Sequence, residues 1–177
     1  MVKLYNYIGS PENLALIGYQ QRRIKVTSLD AVRAWIAETG QELEHNILTV
    51  TFIVDATGKL WISDRRSEHV VCAAGGPVCS AGELAFEILD KFISLSSVTN
   101  LSTGFCPEPN SWPTVAKELV RIGLQVPNGF GPGFDFRRCA VCGTTNTVKE
   151  GWFFCAQCDS ELDQEWNFYP RSTSRTP

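Results

Sequence analysis

Four cysteines near the end of the chain fall into two pairs, Cys139-Ala140-Val141-Cys142 and Cys155-Ala156-Gln157-Cys158, with twelve residues between the pairs. Two residues between cysteines let a tight turn aim both sulfurs at one point. Four such sulfurs make the tetrahedron that zinc prefers. Gly143 follows the first pair, where the turn crowds the backbone and a residue without Cβ relieves it. The chain has seven cysteines, an odd number, and C-x-x-C pairs in a reducing compartment are metal ligands more often than disulfides. The expectation is one Zn2+ held by Cys139, Cys142, Cys155 and Cys158. Four thiolates leave no coordination position for water, so this zinc is structural.

The remaining sulfurs allow two further readings. His69, Cys72 and Cys79 lie close in sequence, and Cys106 sits in the loop Thr103-Gly104-Phe105-Cys106-Pro107. His69, Cys72, Cys79 and Cys106 together would supply a second zinc site, although their spacing is irregular. Alternatively, a thiolate beside His or Arg becomes a nucleophile. The loop Asp64-Arg65-Arg66-Ser67-Glu68-His69 gathers ionisable groups near Cys72. A thiol-dependent enzyme would then use His69 with Cys72 or Cys106. Against both readings, a buried free cysteine behaves as a small hydrophobe.

The elements that must position these groups follow from patterning. Ser10-Pro11-Glu12 starts a short helix running to about Ile17, and residues 20–26 read as a strand. Ser28 caps a clearer helix, with Val32, Trp35 and Ile36 on one face and Gly40 at its end. Ile47 to Val54 is rich in β-branched residues and reads as a strand, and Asp55 to Gly58 turns it into a second arm, Lys59 to Ser63. Val70 to Ala74 is expected as a third strand. Ser80 and Glu83 have capping-box spacing and predict a helix over 81–92, although Phe86, Ile88 and Leu95 leave a strand as the alternative. Residues 94–104 hold a further strand. Ser111-Trp112-Pro113 starts a helix with Val115, Leu119 and Ile122 on one face. The Gly- and Pro-rich stretch from Gln125 to Asp135 reads as a linker.

The expected fold is therefore α+β: an antiparallel β-meander with three or four helices over residues 1–130, then a small metal module over 136–168, then a flexible tail, 170–177. In the module, Thr147-Val148-Lys149 and Trp152-Phe153-Phe154 flank Glu150-Gly151 as a hairpin. The chain here resembles a four-cysteine zinc ribbon with rubredoxin-like knuckles, departing at Asp159, where many second knuckles carry Gly. That resemblance implies a metal-stabilised module, because so small a unit cannot bury enough core alone. Metal binding supplies on the order of 10 kcal/mol. The order helix, β-meander, cysteine loop and Trp112-Pro113 also resembles ubiquitin-conjugating enzymes, which implies a thioester role for Cys106. The His-Pro-Asn signature those enzymes carry ahead of the cysteine is absent. Residues 64–83 and 102–112 further have the look of small bacterial proteins.

Composition narrows the partners. Hydrophobic residues make up 44% of 177 residues, enough for a real core. Nothing resembles a secretory leader or a membrane span, so the chain reads as soluble and cytoplasmic. Sixteen basic against nineteen acidic side chains give a net charge of -3. That balance is opposite to the one that phosphate neutralisation requires. The leading expectation is a zinc-binding adaptor or binding subunit that docks a partner protein, or nucleic acid, through the ribbon. Its candidate contact residues are Arg137, Arg138, Trp152, Phe154 and Trp166. A third reading, single-stranded nucleic-acid binding, uses the two arginines with the ribbon aromatics as a stacking surface. Those aromatics otherwise serve to pack the ribbon.

Overall fold

The computed structural model describes residues 2–18 and 23–169. The expected tail, 170–177, and residues 20–22 of the expected strand at 20–26 lie outside the described residues. The chain divides into two compact units, Met1–Phe134 and Asp135–Pro177.

The first unit is built on a five-stranded antiparallel sheet of order β1-β3-β2-β4-β5. Its strands are β1 (Ile24–Lys25), β2 (Ile47–Asp55), β3 (Leu60–Asp64), β4 (Val78–Leu89) and β5 (Phe92–Val98). Four short helices accompany them: α1 (Pro11–Leu14), α2 (Leu29–Thr39), α3 (His69–Cys72) and α4 (Trp112–Arg121). This is the α+β, antiparallel architecture that the sequence predicts. Among the described residues no helix is long and apolar enough to cross a membrane.

β2 is the central strand, and its composition shows why. Leu48, Val50, Phe52 and Val54 point into one hydrophobic cluster with Val32 and Trp35 of α2 and Val115 and Leu119 of α4. The intervening Thr51 and Ile53 are also buried. A strand buried on both faces carries apolar or β-branched residues at nearly every position, as this one does between Ile47 and Val54.

The chain continues from β3 through α3 into β4, which pairs with β2 along nearly its whole length. Here the local signals mislead twice. The helix expected over 81–92 is instead the longest strand. Leu84 and Phe86 fall on one face opposite Val50 and Leu48, so a period of two matches the partner strand better than a period of 3.6. The Ser80 hydroxyl, expected as a helix cap, lies 2.9 Å from the Ser111 hydroxyl. Gly82 is required there, because a Cβ would lie 1.9 Å from the Thr99 carbonyl oxygen.

The strand expected at Val70 to Ala74 is the helical turn α3. Val70, Val71 and Cys72 are all buried, which consecutive residues of a half-covered strand cannot achieve.

Helix ends otherwise follow the sequence grammar. Ser10 and Ser28 accept hydrogen bonds from the backbone N–H groups of Glu12 and Ala31, at 3.3 Å and 3.2 Å. Gly40 closes α2 in the left-handed conformation, φ 63. Ser111 departs from expectation. It already has helical backbone angles at the end of a 3-10 turn, Pro109–Ser111, and its hydroxyl donates back to the Glu108 carbonyl.

One buried ion cluster ties α4 to the sheet edge. Glu118, 1% exposed, accepts from the Leu60 N–H and from Arg121. Arg121 in turn donates to the Val26 and Thr27 carbonyls.

The second unit contains a two-stranded antiparallel sheet, β6 (Asp135–Arg138) and β7 (Thr145–Val148). The hairpin expected between the cysteine pairs is present only as the isolated bridge of Lys149 with Trp152, and Phe154 bridges Glu161, beyond the second pair, instead. β7 pairs with the residues before the first knuckle instead.

Candidate metal centre

Each cysteine pair sits in a knuckle, and the two knuckles repeat each other bond for bond. In the first, the Cys139 N–H donates to the Thr144 carbonyl and the Gly143 N–H to the Cys139 carbonyl, both at 2.9 Å. In the second, the Cys155 N–H donates to the Ser160 carbonyl at 2.8 Å and the Asp159 N–H to the Cys155 carbonyl at 2.9 Å. The turn places Gly143 and Asp159 in the left-handed region, φ 78 and 56. Glycine accepts that conformation freely, whereas aspartate is merely one of the better-tolerated residues there.

These turns bring all four sulfurs within 4.8 Å of one another. Across the pairs, Cys139 Sγ lies 3.6 Å from Cys158 Sγ, and Cys142 Sγ 3.5 Å from Cys155 Sγ. A disulfide requires about 2.05 Å. A tetrahedron of thiolates about 2.3 Å from a central ion has edges of about 3.8 Å. The four residues thus fit one tetrahedrally held metal ion. The inner ligands, Cys139 and Cys155, are buried, and the outer ones, Cys142 and Cys158, are exposed.

A shell of polar groups surrounds the sulfurs. The Cys142 N–H donates to Cys139 Sγ at 3.5 Å and the Gln157 N–H to Cys155 Sγ at 3.4 Å. Each exposed sulfur has a hydroxyl two residues on: Thr144 Oγ1 is 3.3 Å from Cys142 Sγ, and Ser160 Oγ is 3.4 Å from Cys158 Sγ. Hydrogen bonds from Thr144, side chain first and backbone second, bring the Cys142 thiol down to about 6. The buried Asn146 links the knuckles, donating to Cys155 Sγ at 3.5 Å and accepting from the Ala156 N–H at 2.9 Å. Sequence reasoning passed over Thr144, Ser160 and Asn146. The first two were legible as a hydroxyl residue two places after the second cysteine of each pair.

The five candidate contact residues separate into two groups. Arg137 is buried, and its guanidinium donates to the carbonyls of Phe136, Asp163 and Gln164 at 2.7 to 3.1 Å. Arg138 is half-buried and lies over the Phe168 ring. Trp166 is buried, with ring contacts to Phe168 and Tyr169. These three hold the unit together. Trp152 and Phe154 are different. They are 69% and 43% exposed, with ring centroids 4.9 Å apart. Both line a groove of about 450 Å3 together with Asn146, Thr147, Lys149 and Asp159.

The other cysteines do not converge. Among the described residues, Cys139, Cys142, Cys155 and Cys158 form the one cluster of metal-ligating side chains. His69, Cys72, Cys79 and Cys106 do not make a second site. The His69 ring meets the Gly82 carbonyl at 3.0 Å, and burial drives its pKa down to about 4. Cys79 and Cys106 donate to the carbonyls of Asp55 and Thr103. Burial raises the Cys72 thiol to about 11 and raises Cys79 as well. Cys106 is fully buried, so it cannot meet a partner as a thioester residue must. With the Cys72 and Cys79 thiols raised and the His69 pKa lowered, these groups do not supply the thiolate that nucleophilic catalysis needs.

Fold and site together define a chain with an antiparallel α+β unit and a second unit whose four clustered cysteines could hold a metal ion. No family model matches this sequence, and neither a curated protein nor a solved structure shows significant similarity to it.

Proposed function

We propose that the four thiolates hold a single structural zinc ion, and that the chain is a binding subunit docking a partner protein through Trp152 and Phe154. Cys139, Cys142, Cys155 and Cys158 are the ligands. The ion supplies a cross-link in place of a core, and with four thiolate ligands it has no open position for substrate. The observation that carries the docking reading is the exposed Trp152–Phe154 pair beside a groove. Two adjacent large aromatics left in solvent on a metal-fixed turn are characteristic of interaction sites.

Charge favours a protein partner over nucleic acid. Between Asp135 and Tyr169 there are six carboxylates, Asp135, Glu150, Asp159, Glu161, Asp163 and Glu165, against Arg137, Arg138 and Lys149. Arg137 is committed to three carbonyls, so phosphate neutralisation has little to draw on.

The test has two parts. Native mass spectrometry with elemental analysis is expected to give one zinc per chain. Iron, or two metals, overturns the metal assignment. A photo-crosslinking amino acid at position 152 in living cells is expected to trap a discrete protein. Crosslinks to nucleic acid, or none, overturn the docking reading.

A further inference from the structure

The sheet of the first unit ends on one side at β1, two residues long, and on the other at β5, seven residues long. The ladder shows which backbone groups of β5 are already used. The Ile88 N–H donates to the Asn46 carbonyl, on the β2 side of β4, so Glu87 and Leu89 turn their N–H and C=O groups towards β5. Their partners Ser94 and Phe92 turn back to meet them, which leaves the backbone groups of Ile93 and Leu95 facing outward. Among the described residues no hydrogen bond reaches those outward groups, and the bond from the Gly131 N–H meets the edge only at the far end, on the Val98 carbonyl. Sheet edges are ordinarily blunted by charged residues or Pro, and Phe92–Val98 holds neither. At 79% exposure, Phe92 is also the most exposed large apolar side chain among the described residues.

We propose that β5 pairs antiparallel with β5 of a second copy of this chain, about a two-fold axis at Ser94, joining the two sheets into one. Two copies of one strand meet antiparallel about a two-fold, so residue i opposes j and j opposes i. An axis at Ser94 sets Ile93 against Leu95 of the second copy and Leu95 against its Ile93. The outward groups of each strand then meet the outward groups of the other. The Ile93 and Leu95 side chains lie on the face packed against α2 and α4, so the pairing extends that core. On the opposite face Phe92 falls opposite Ser96 of the second copy, a small exposed residue next to Ser97, where a ring has room. No position of the strand carries a charge, so the symmetry sets no charge against its own kind. This self-match in backbone, size and charge is what singles out a second copy over a strand of another protein. The surface uses none of the residues of the Trp152–Phe154 groove.

Sedimentation velocity on the zinc-loaded full chain tests this. A dimer is expected at about 100 µM, dissociating below about 1 µM, as suits a short interface. In that dimer Ser94 opposes itself in a non-hydrogen-bonded pair, with Cα atoms about 4.5 Å apart and within disulfide reach. Ser94→Cys is therefore expected to give a covalent dimer under oxidised glutathione, with peptide mapping placing the bond between the two thiols at position 94. Ser97→Cys, exposed but out of register with itself, is expected not to. Ser94→Lys sets two ammonium groups on the axis and is expected to weaken the dimer at least about tenfold. Trp152→Ala is expected to leave it unchanged. A monomer at the higher concentration overturns the proposal. So does a dimer that tolerates Ser94→Lys, or one that crosslinks through position 97 and not through 94. A dimer that Trp152→Ala dissociates puts the contact in the aromatic groove and overturns the β5 pairing as well.

Discussion

The two units both bury cysteine, and they do so to opposite ends. In residues 2–134, Cys72, Cys79 and Cys106 are buried one by one, and Cys79 and Cys106 each donate a hydrogen bond to a nearby carbonyl. They fill space in a unit whose stability rests on a large apolar cluster between the sheet and helices α2 and α4. In residues 135–169, the cluster around the knuckles has only Cys139, Cys155 and Leu162 fully inside. Two of those three belong to the four-cysteine cluster. The same residue fills space in the first unit and gathers the two knuckles in the second. Burial alone therefore does not mark a functional cysteine; convergence does.

The largest expected effect is on the metal centre. Cys139→Ala, or a strong zinc chelator, removes an interaction worth on the order of 10 kcal/mol. Hydrogen exchange read by mass spectrometry is expected to show residues 135–169 losing protection while β2 and β4 keep theirs. If the sheet of the first unit opens as well, the contrast between the units fails. Cys106→Ala is the matching control, expected to cost about 1–3 kcal/mol through a small cavity and no zinc.

Next comes the buried ion cluster of the first unit. Glu118→Ala leaves the Leu60 N–H without its acceptor and takes from Arg121 its carboxylate partner, and is expected to cost about 3 kcal/mol in urea unfolding. Zinc content should be unaffected. A loss below about 1 kcal/mol would show that α4 does not depend on this cluster.

Acid should separate the units by cause. His69 has its pKa lowered to about 4 in the fold, against about 6.5 in the unfolded chain. The unfolded state therefore binds more protons between these values, and stability present above pH 6.5 is lost as pH falls towards 4. Glu118, also lowered by Arg121 against the opposing effect of burial, adds its loss below its ordinary value of 4.5. His69→Gln should flatten the first loss in the first unit, by on the order of 2 kcal/mol. It should leave acid release of zinc from the thiolates unchanged, measured with a chromogenic chelator. A parallel change in zinc release would mean that His69 acts on the metal centre.

The smallest effect concerns the knuckle that departs from glycine. Asp159→Gly relieves a left-handed backbone and is expected to stabilise the zinc-loaded second unit by about 0.5 kcal/mol, seen as slower zinc loss to chelator. Faster loss would show that the Asp159 side chain does work its backbone does not.

The sequence by itself determined the four-cysteine cluster, because the two C-x-x-C turns are local. Each knuckle is closed by hydrogen bonds within six residues, so spacing alone carries the geometry. It also determined α2 and the β2–β3 hairpin, whose caps, turn and periodicity are written in contiguous residues. It did not determine β4, because Ser80-Ala81-Gly82-Glu83 reads as a helix start until β2 offers its length for pairing, and that partner lies some thirty residues away. Nor did it settle the arginines and aromatics. Arg137 and Trp152 look alike as candidates in the sequence. Only tertiary structure turned one inward onto three carbonyls and left the other in solvent, since burial depends on where distant carbonyls and rings come to lie.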